Sequence, residues 1–138
     1  MTWSIRETVP VLAVPTLESG IAFYDRLGFG VEWTWPEDSP THAGLRRGGC
    51  AIQLSRCDPA MSAEVCFRVD DVDACHAEVM AARPWELAAE AGALATRPDC
   101  PPKRALQAPD PPEDKPWGHR EMTLLDPWGH LLVFSQES

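Results

Sequence analysis

Residues 9–33 read VPVLAVPTLESGIAFYDRLGFGVEW, and three kinds of local pattern follow one another within them. Val9 to Val14 is a short apolar run containing Pro10, which cannot donate to a strand ladder and so suits an edge or exchanged strand. Pro15 and Thr16 open a helix, with the Thr16 hydroxyl placed to cap its first turn. Leu17, Ile21, Tyr24 and Leu27 (or Phe23) recur at three- and four-residue spacing, giving one apolar face. Gly28 ends the helix. From Gly30 to Trp35 the period changes to two, with Val31, Trp33 and Trp35 alternating against Glu32 and Thr34. The order is strand, helix, strand.

Outward from there, Pro36 to Pro40 is a polar loop. His42–Arg47, the Gly48-Gly49 turn and Cys50–Ser55 read as a hairpin. The plan then repeats. Ala63–Val69 is a strand, Asp70 or Asp71 caps a helix carrying Val72, Cys75, Val79 and Met80, and Pro84 interrupts it. A short turn is expected over Trp85–Ala91. The segment from Pro98 to Pro116 holds seven prolines and is expected to be mainly loop, with Lys103–Ala108 a candidate short strand. His119–Leu125, the turn Asp126-Pro127-Trp128-Gly129 and His130–Gln136 form a final hairpin. Val14-Pro-Thr-Leu-Glu18 falls on Val69-Asp-Asp-Val-Asp73 at an offset of 55 residues, and Gly49–Leu54 falls on Gly129–Phe134 at an offset of 80. Each half is strand, helix, then three strands. The expectation is an α+β domain over residues 1–138, built from two βαβββ modules of about residues 8–57 and 62–136.

With 138 residues the chain can bury a sizeable core. Twelve basic against 21 acidic side chains leave a formal charge of −9, which repels a phosphate backbone; the basic residues cluster only as pairs. Nucleic acid is therefore not an expected partner. No apolar run reaches a membrane-spanning length and the first residues carry no signal pattern, so a cytoplasmic protein without a membrane partner is expected. Five cysteines at no paired spacing indicate neither a disulfide framework nor a zinc site.

Three segments carry a family likeness: residues 9–33, EVCFRVDDVDACHAEV (Glu64–Val79) and KPWGHREMTLLDPWGHLLVF (Lys115–Phe134). Together they resemble the glyoxalase/bleomycin-resistance superfamily, whose fold is a pair of βαβββ modules forming a concave mixed sheet. The nearest likeness is to the bleomycin-resistance proteins, through VPVL, RLGF, and PWG followed by Arg-Glu and a DP-x-G hairpin. That resemblance implies a homodimer, an exchanged first strand hinged at Pro10, and sequestration of a small molecule in clefts made by both subunits.

Many enzymes of the superfamily hold a divalent metal with side chains on the first and last strand of each half. The repeat offsets carry those positions to Val9, Gln53, Glu64 and Val133. Two valines have no lone pair to offer and an amide is a weak ligand, so neither a metal nor another cofactor is expected. No nucleophile motif is present and the four histidines (His42, His76, His119 and His130) are scattered, so no catalytic residue is assigned. The alternative is a metal-independent enzyme using Glu64 or Glu121 as acid or base. By position, the resemblance implies ligand contacts at Glu32, Trp33, Trp35, His42, Ser55, Glu64 and Trp117. Indoles stack flat heteroaromatic rings and hold cations over their faces. Alternation places Glu32 opposite Trp33 and Trp35. Trp3 and Trp128 are expected at the surface or in a dimer contact. The expected ligand is an aromatic or cationic natural product of the bleomycin type.

Overall fold

A computed structural model describes residues 2–57, 62–87 and 107–137. Its elements are β1 (Val11–Val14), α1 (Leu17–Arg26), β2 (Gly30–Trp35), β3 (His42–Arg47), β4 (Cys50–Arg56), β5 (Glu64–Arg68), α2 (Val72–Ala82), β6 (Glu113–Asp114), β7 (His119–Leu125) and β8 (Leu131–Glu137). They form two four-stranded mixed sheets, ordered β1-β4-β3-β2 and β5-β8-β7-β6. In each, the first strand runs parallel to the last and the remaining neighbours are antiparallel.

The internal repeat is visible in the register itself. Val11 lies opposite Gln53 in the first sheet and Cys66 opposite Val133 in the second, so both partners move by the offsets of 55 and 80. The helix caps obey the same rule. Thr16 Oγ1 accepts from Ser19 N at 3.2 Å, and Asp71 Oδ1 accepts from Ala74 N at 3.0 Å. Each cap satisfies a donor at a helix start that would otherwise lack a partner, an effect worth about 1 kcal/mol.

Several boundaries differ from those predicted. The first strand begins only at Val11, because Pro10 leaves its own nitrogen without a hydrogen while its carbonyl accepts from Gln53 N at 2.9 Å. The strand pairs with β4 of the same chain, at the edge of the sheet. The second helix ends at Ala82, where Arg83 takes a left-handed conformation at φ 52° just before Pro84. Strand β6 is only Glu113–Asp114, a pair of residues opposite Arg120 and Glu121, inside the proline-rich stretch. Most of the candidate strand at Lys103–Ala108, and the end of the turn at Trp85–Ala91, lie outside the described residues.

Each helix covers one face of its own sheet. Leu17, Phe23 and Tyr24 of α1 are buried with Leu12, Val14, Leu45, Ile52 and Leu54, while α2 contributes Val72 and Val79 beside Met122, Leu124, Leu132 and Phe134. Each such large apolar side chain contributes roughly 1.5–3 kcal/mol on burial. Gly20 lets α1 lie close to the sheet, since a Cβ there would meet Leu54 Cδ1 at 2.9 Å.

One buried polar network joins the halves. Tyr24 Oη donates to Asp126 Oδ2 at 2.8 Å, while Asp126 Oδ1 accepts from Trp128 N at 2.9 Å and His130 N at 2.8 Å. His130 Nδ1 accepts from Ala63 N at 2.9 Å, which leaves Nε2 to carry the proton and donate to Ala13 O at 2.7 Å. His130 is therefore a wholly buried crosslink between β1 and the approach to β5, rather than a solvated side chain. Trp128 is also buried, with its ring edge-on to Phe23 at 6.0 Å; the expectation of a surface position is corrected. Trp3 is exposed.

Candidate functional site

Residues directly opposite one another across a ladder share a face. In the first sheet that rule collects Gln53, Ser55, His42, Gly44, Trp33 and Trp35 on the face turned away from α1. All six residues of β2 are exposed. Trp33 and Trp35, two apart on that strand, are 41% and 63% exposed, so a strip of indole faces solvent where a half-buried strand would present polar groups. The Trp35 and His42 rings lie 6.2 Å apart at 52°, and His42 Nδ1 sits 2.8 Å from the Thr41 hydroxyl. Gly44 is buried beneath the Trp33 indole; a Cβ at that position would overlap the indole ring.

Glu32 departs from simple alternation. The register shifts between Val31 and Trp33, a bulge that breaks the two-residue period. Its carboxylate accepts from Arg46 Nε at 3.0 Å, and Arg46 belongs to the indole face. Glu32 thus reaches the same face as Trp33. The pair is about 40% exposed on each side and contributes no more than about 1 kcal/mol.

On the second sheet the face turned away from α2 carries a different chemistry. Glu121 lies opposite Ser135. Ser135 Oγ donates to Glu121 Oε2 at 2.9 Å, and Trp117 Nε1 donates to the same oxygen at 3.3 Å. Trp117 itself is 61% exposed. His119 stands 3.9 Å from Glu121 on one side and 3.2 Å from Arg68 on the other, and Arg68 is paired with Glu137 at 3.1 Å. Ser135 and Ser55 occupy equivalent positions at the offset of 80, and Glu121 takes the place across the ladder that His42 has in the first sheet.

Of the seven candidate ligand residues, the fold gathers Glu32, Trp33, Trp35, His42 and Ser55 on one sheet face and sets Trp117 on the other sheet. Glu64 is exposed on the edge strand β5, on the sheet face it shares with Ser135 and Glu121, and it also lines a cleft of about 1180 Å³ between the halves. Leu27, Phe29, Phe67 and Phe134 also line this cleft. Two of its thiols, Cys50 and Cys75, are pushed up by burial, Cys75 to about 11, which makes them poor nucleophiles at neutral pH. No disulfide joins the described cysteines. Ser135 and Arg68 were not among the residues expected here, and His119 was expected only as one of four scattered histidines. Ser135 could have been found from its equivalence to Ser55, whereas Arg68 has no local signal.

The Glyoxalase/Bleomycin resistance protein/Dioxygenase superfamily model matches residues 8–134. The chain belongs to this superfamily. Among solved structures it is similar to a bleomycin-binding protein complexed with bleomycin, at a TM-score of 0.69 and 21% identity, with 97% of this chain and all of that one covered. It is similar also to the bleomycin-binding protein of bleomycin-producing Streptomyces verticillus complexed with copper(II)-bleomycin, at a TM-score of 0.66 and 26% identity, covering 99% and 100%. A glyoxalase-related enzyme from Clostridium phytofermentans gives a TM-score of 0.70 at 13% identity, covering 99% and 98%. No curated protein matches the chain.

Many enzymes of the superfamily use a divalent metal, and the donor set here does not fit one. Val9 precedes β1, Val133 is buried opposite Cys66, and neither has a lone pair to give. Gln53 and Glu64 are then left as one neutral amide and one carboxylate, too few donors for a divalent ion. Among the described residues no three His, Cys, Asp or Glu side chains converge on a point where an ion could sit. Among those same residues no helix is long and apolar enough to cross a membrane.

Proposed function

We propose that this protein binds a flat aromatic, cation-bearing natural product and protects by sequestering it, without chemical change, in clefts formed between two copies of the chain. The observation that carries this reading is the strip of Trp33, Trp35 and His42 side by side on an uncovered sheet face. Stacking on such a strip contributes about 0.5–1.5 kcal/mol per ring pair beyond area burial, at low conformational cost. Ser55 and Glu32 supply polar groups at the edges of the strip, and Glu64 and Trp117 come from the second module. The similarity to bleomycin-binding proteins supports the same ligand class. His42 stands where those proteins are expected to present an aromatic contact, which argues for a ligand differing from bleomycin itself.

The two-copy arrangement rests on uncovered apolar surface. Val11, Val31, Trp33, Trp35 and Trp117 are all exposed, as are Trp3 and Ile5 on the arm that precedes β1. Exposed apolar surface on this scale marks an interface. A self-complementary two-fold contact is the commonest solution, with Pro10 as the hinge of an exchanged arm. Sedimentation equilibrium at micromolar concentration should return twice the 15.2 kDa chain mass; the single-chain mass would contradict the shared cleft.

The function is tested by a thermal-shift screen against cationic aromatic antibiotics. A ligand specific to the folded state at a hundred times its Kd stabilises by about 2.7 kcal/mol, which is several degrees for a chain of this length. No shift from any compound of the class would overturn the reading. Recovery of the bound compound unchanged separates it from a metal-independent enzyme using Glu64 or Glu121.

A further inference from the structure

We propose that Glu121 and Trp117 together receive the cationic group of the ligand, so that the counter-charge of the site lies on the second sheet and not at Glu32. The inference deepens the sequestration reading and rests on it. Glu121 is held in an unusual way for a carboxylate whose side chain is only 13% exposed. Both of its donors, the Ser135 hydroxyl and the Trp117 indole N–H, converge on Oε2. Oε1 accepts from no described residue. The carboxylate is therefore fixed in direction, with one oxygen that no described donor occupies, beside an indole that is mostly exposed.

The charges around it are already balanced elsewhere. Arg68 is paired with Glu137 at 3.1 Å, Lys115 with Glu113 at 3.5 Å, and Arg120 with Asp73 at 3.0 Å and Asp114 at 3.3 Å. His119, at 3.9 Å, is beyond hydrogen-bonding distance of Glu121. Among the described residues Glu121 thus has no Lys or Arg partner, whereas Glu32 is bound by Arg46 at 3.0 Å, with Glu7 3.9 Å from the same guanidinium. An ammonium or amidinium seated against the Trp117 face and donating to Oε1 would gain a cation–π contact and a charge-assisted hydrogen bond together. The Ser135 and Trp117 donors need not move, so the receptor is pre-organised.

The test uses two fluorescent probes that share one flat ring: N-dansyl-1,5-diaminopentane, which carries an ammonium, and N-dansyl-5-aminopentanol, which is its neutral counterpart. The full-length protein should bind the ammonium probe about tenfold more tightly, equivalent to 1.4 kcal/mol, and raising the salt should shrink the difference. Glu121→Gln should abolish that preference while leaving the affinity for the alcohol within about twofold, which also reports that the fold is intact; Gln keeps an oxygen for Ser135 and Trp117. Trp117→Leu should reduce the preference by at least threefold. If the variant at Glu121 keeps the ammonium preference, or if Glu32→Gln removes it instead, the inference is overturned while the sequestration reading stands. If neither probe binds the unmodified protein, the reading falls for this ligand class and the inference falls with it.

Discussion

Asp126→Ala should lower the unfolding free energy by roughly 3–5 kcal/mol, because it strands three buried donors at once. The Tyr24 hydroxyl, the Trp128 amide and the His130 amide all end on this one carboxylate, which is wholly buried. Urea denaturation at neutral pH measures the loss. Asp126→Asn is the informative companion, since an amide retains an oxygen for the two backbone donors and a group that can meet the Tyr24 hydroxyl.

Burial pushes the Asp126 carboxyl above its ordinary value of 3.8, outweighing the pull of His130 and of the hydrogen bonds; the Tyr24 phenol is likewise raised, by burial and then by Asp126. A carboxyl whose folded pKa exceeds its unfolded one favours the folded state fully only below the unfolded value. That contribution is lost as pH rises through the folded value. The stability of Asp126→Asn relative to the parent should therefore improve as pH climbs from below about 3.8 and level off once the native carboxyl has ionised. A relative stability that instead falls over that window would show that the hydrogen bonds, not desolvation, govern this group.

Gly44→Ala should weaken binding of flat aromatic probes at least about tenfold, the effect of losing around 1.4 kcal/mol of stacking and contact. The added methyl group would occupy the space now filled by the Trp33 indole, so the ring must swing off the sheet face. The backbone at Gly44 pairs regularly with Gln53 of β4, while the β2 bulge lies beside its other partner, Trp33. Circular dichroism should therefore report an unchanged fold, and the loss should match that of Trp33→Ala. The neutral dansyl alcohol is the suitable probe, because it isolates stacking from charge. Unaltered affinity in both variants, with the fold preserved, would place the ligand away from this face.

Local sequence alone marked every described element but β6, and their order. A short polar cap before an apolar period of three to four opens each helix, Thr16 and Asp71 standing at equivalent points. Offsets of 55 and 80 carry the parallel register of the first sheet onto that of the second. Carried along the same offsets, the metal-ligand positions that the family resemblance implies fall on Val9, Gln53, Glu64 and Val133, two of them valines.

Tertiary structure decided what lies beside what. A one-residue bulge turned Glu32 towards the indole face, and no periodicity announces a bulge. Trp128 and His130, in and just after a turn whose local pattern reads as surface, are buried because partners 102 and 117 residues away close over the turn: Tyr24 on Asp126, and Ala13 on His130. Glu121 keeps one oxygen that no described donor occupies only because strand pairing set Ser135 opposite it and the Trp117 side chain folded back over the same strand. Periodicity reports which face of an element is apolar. The identity of the neighbour across that face depends on loop closure between distant segments, which local propensity does not encode.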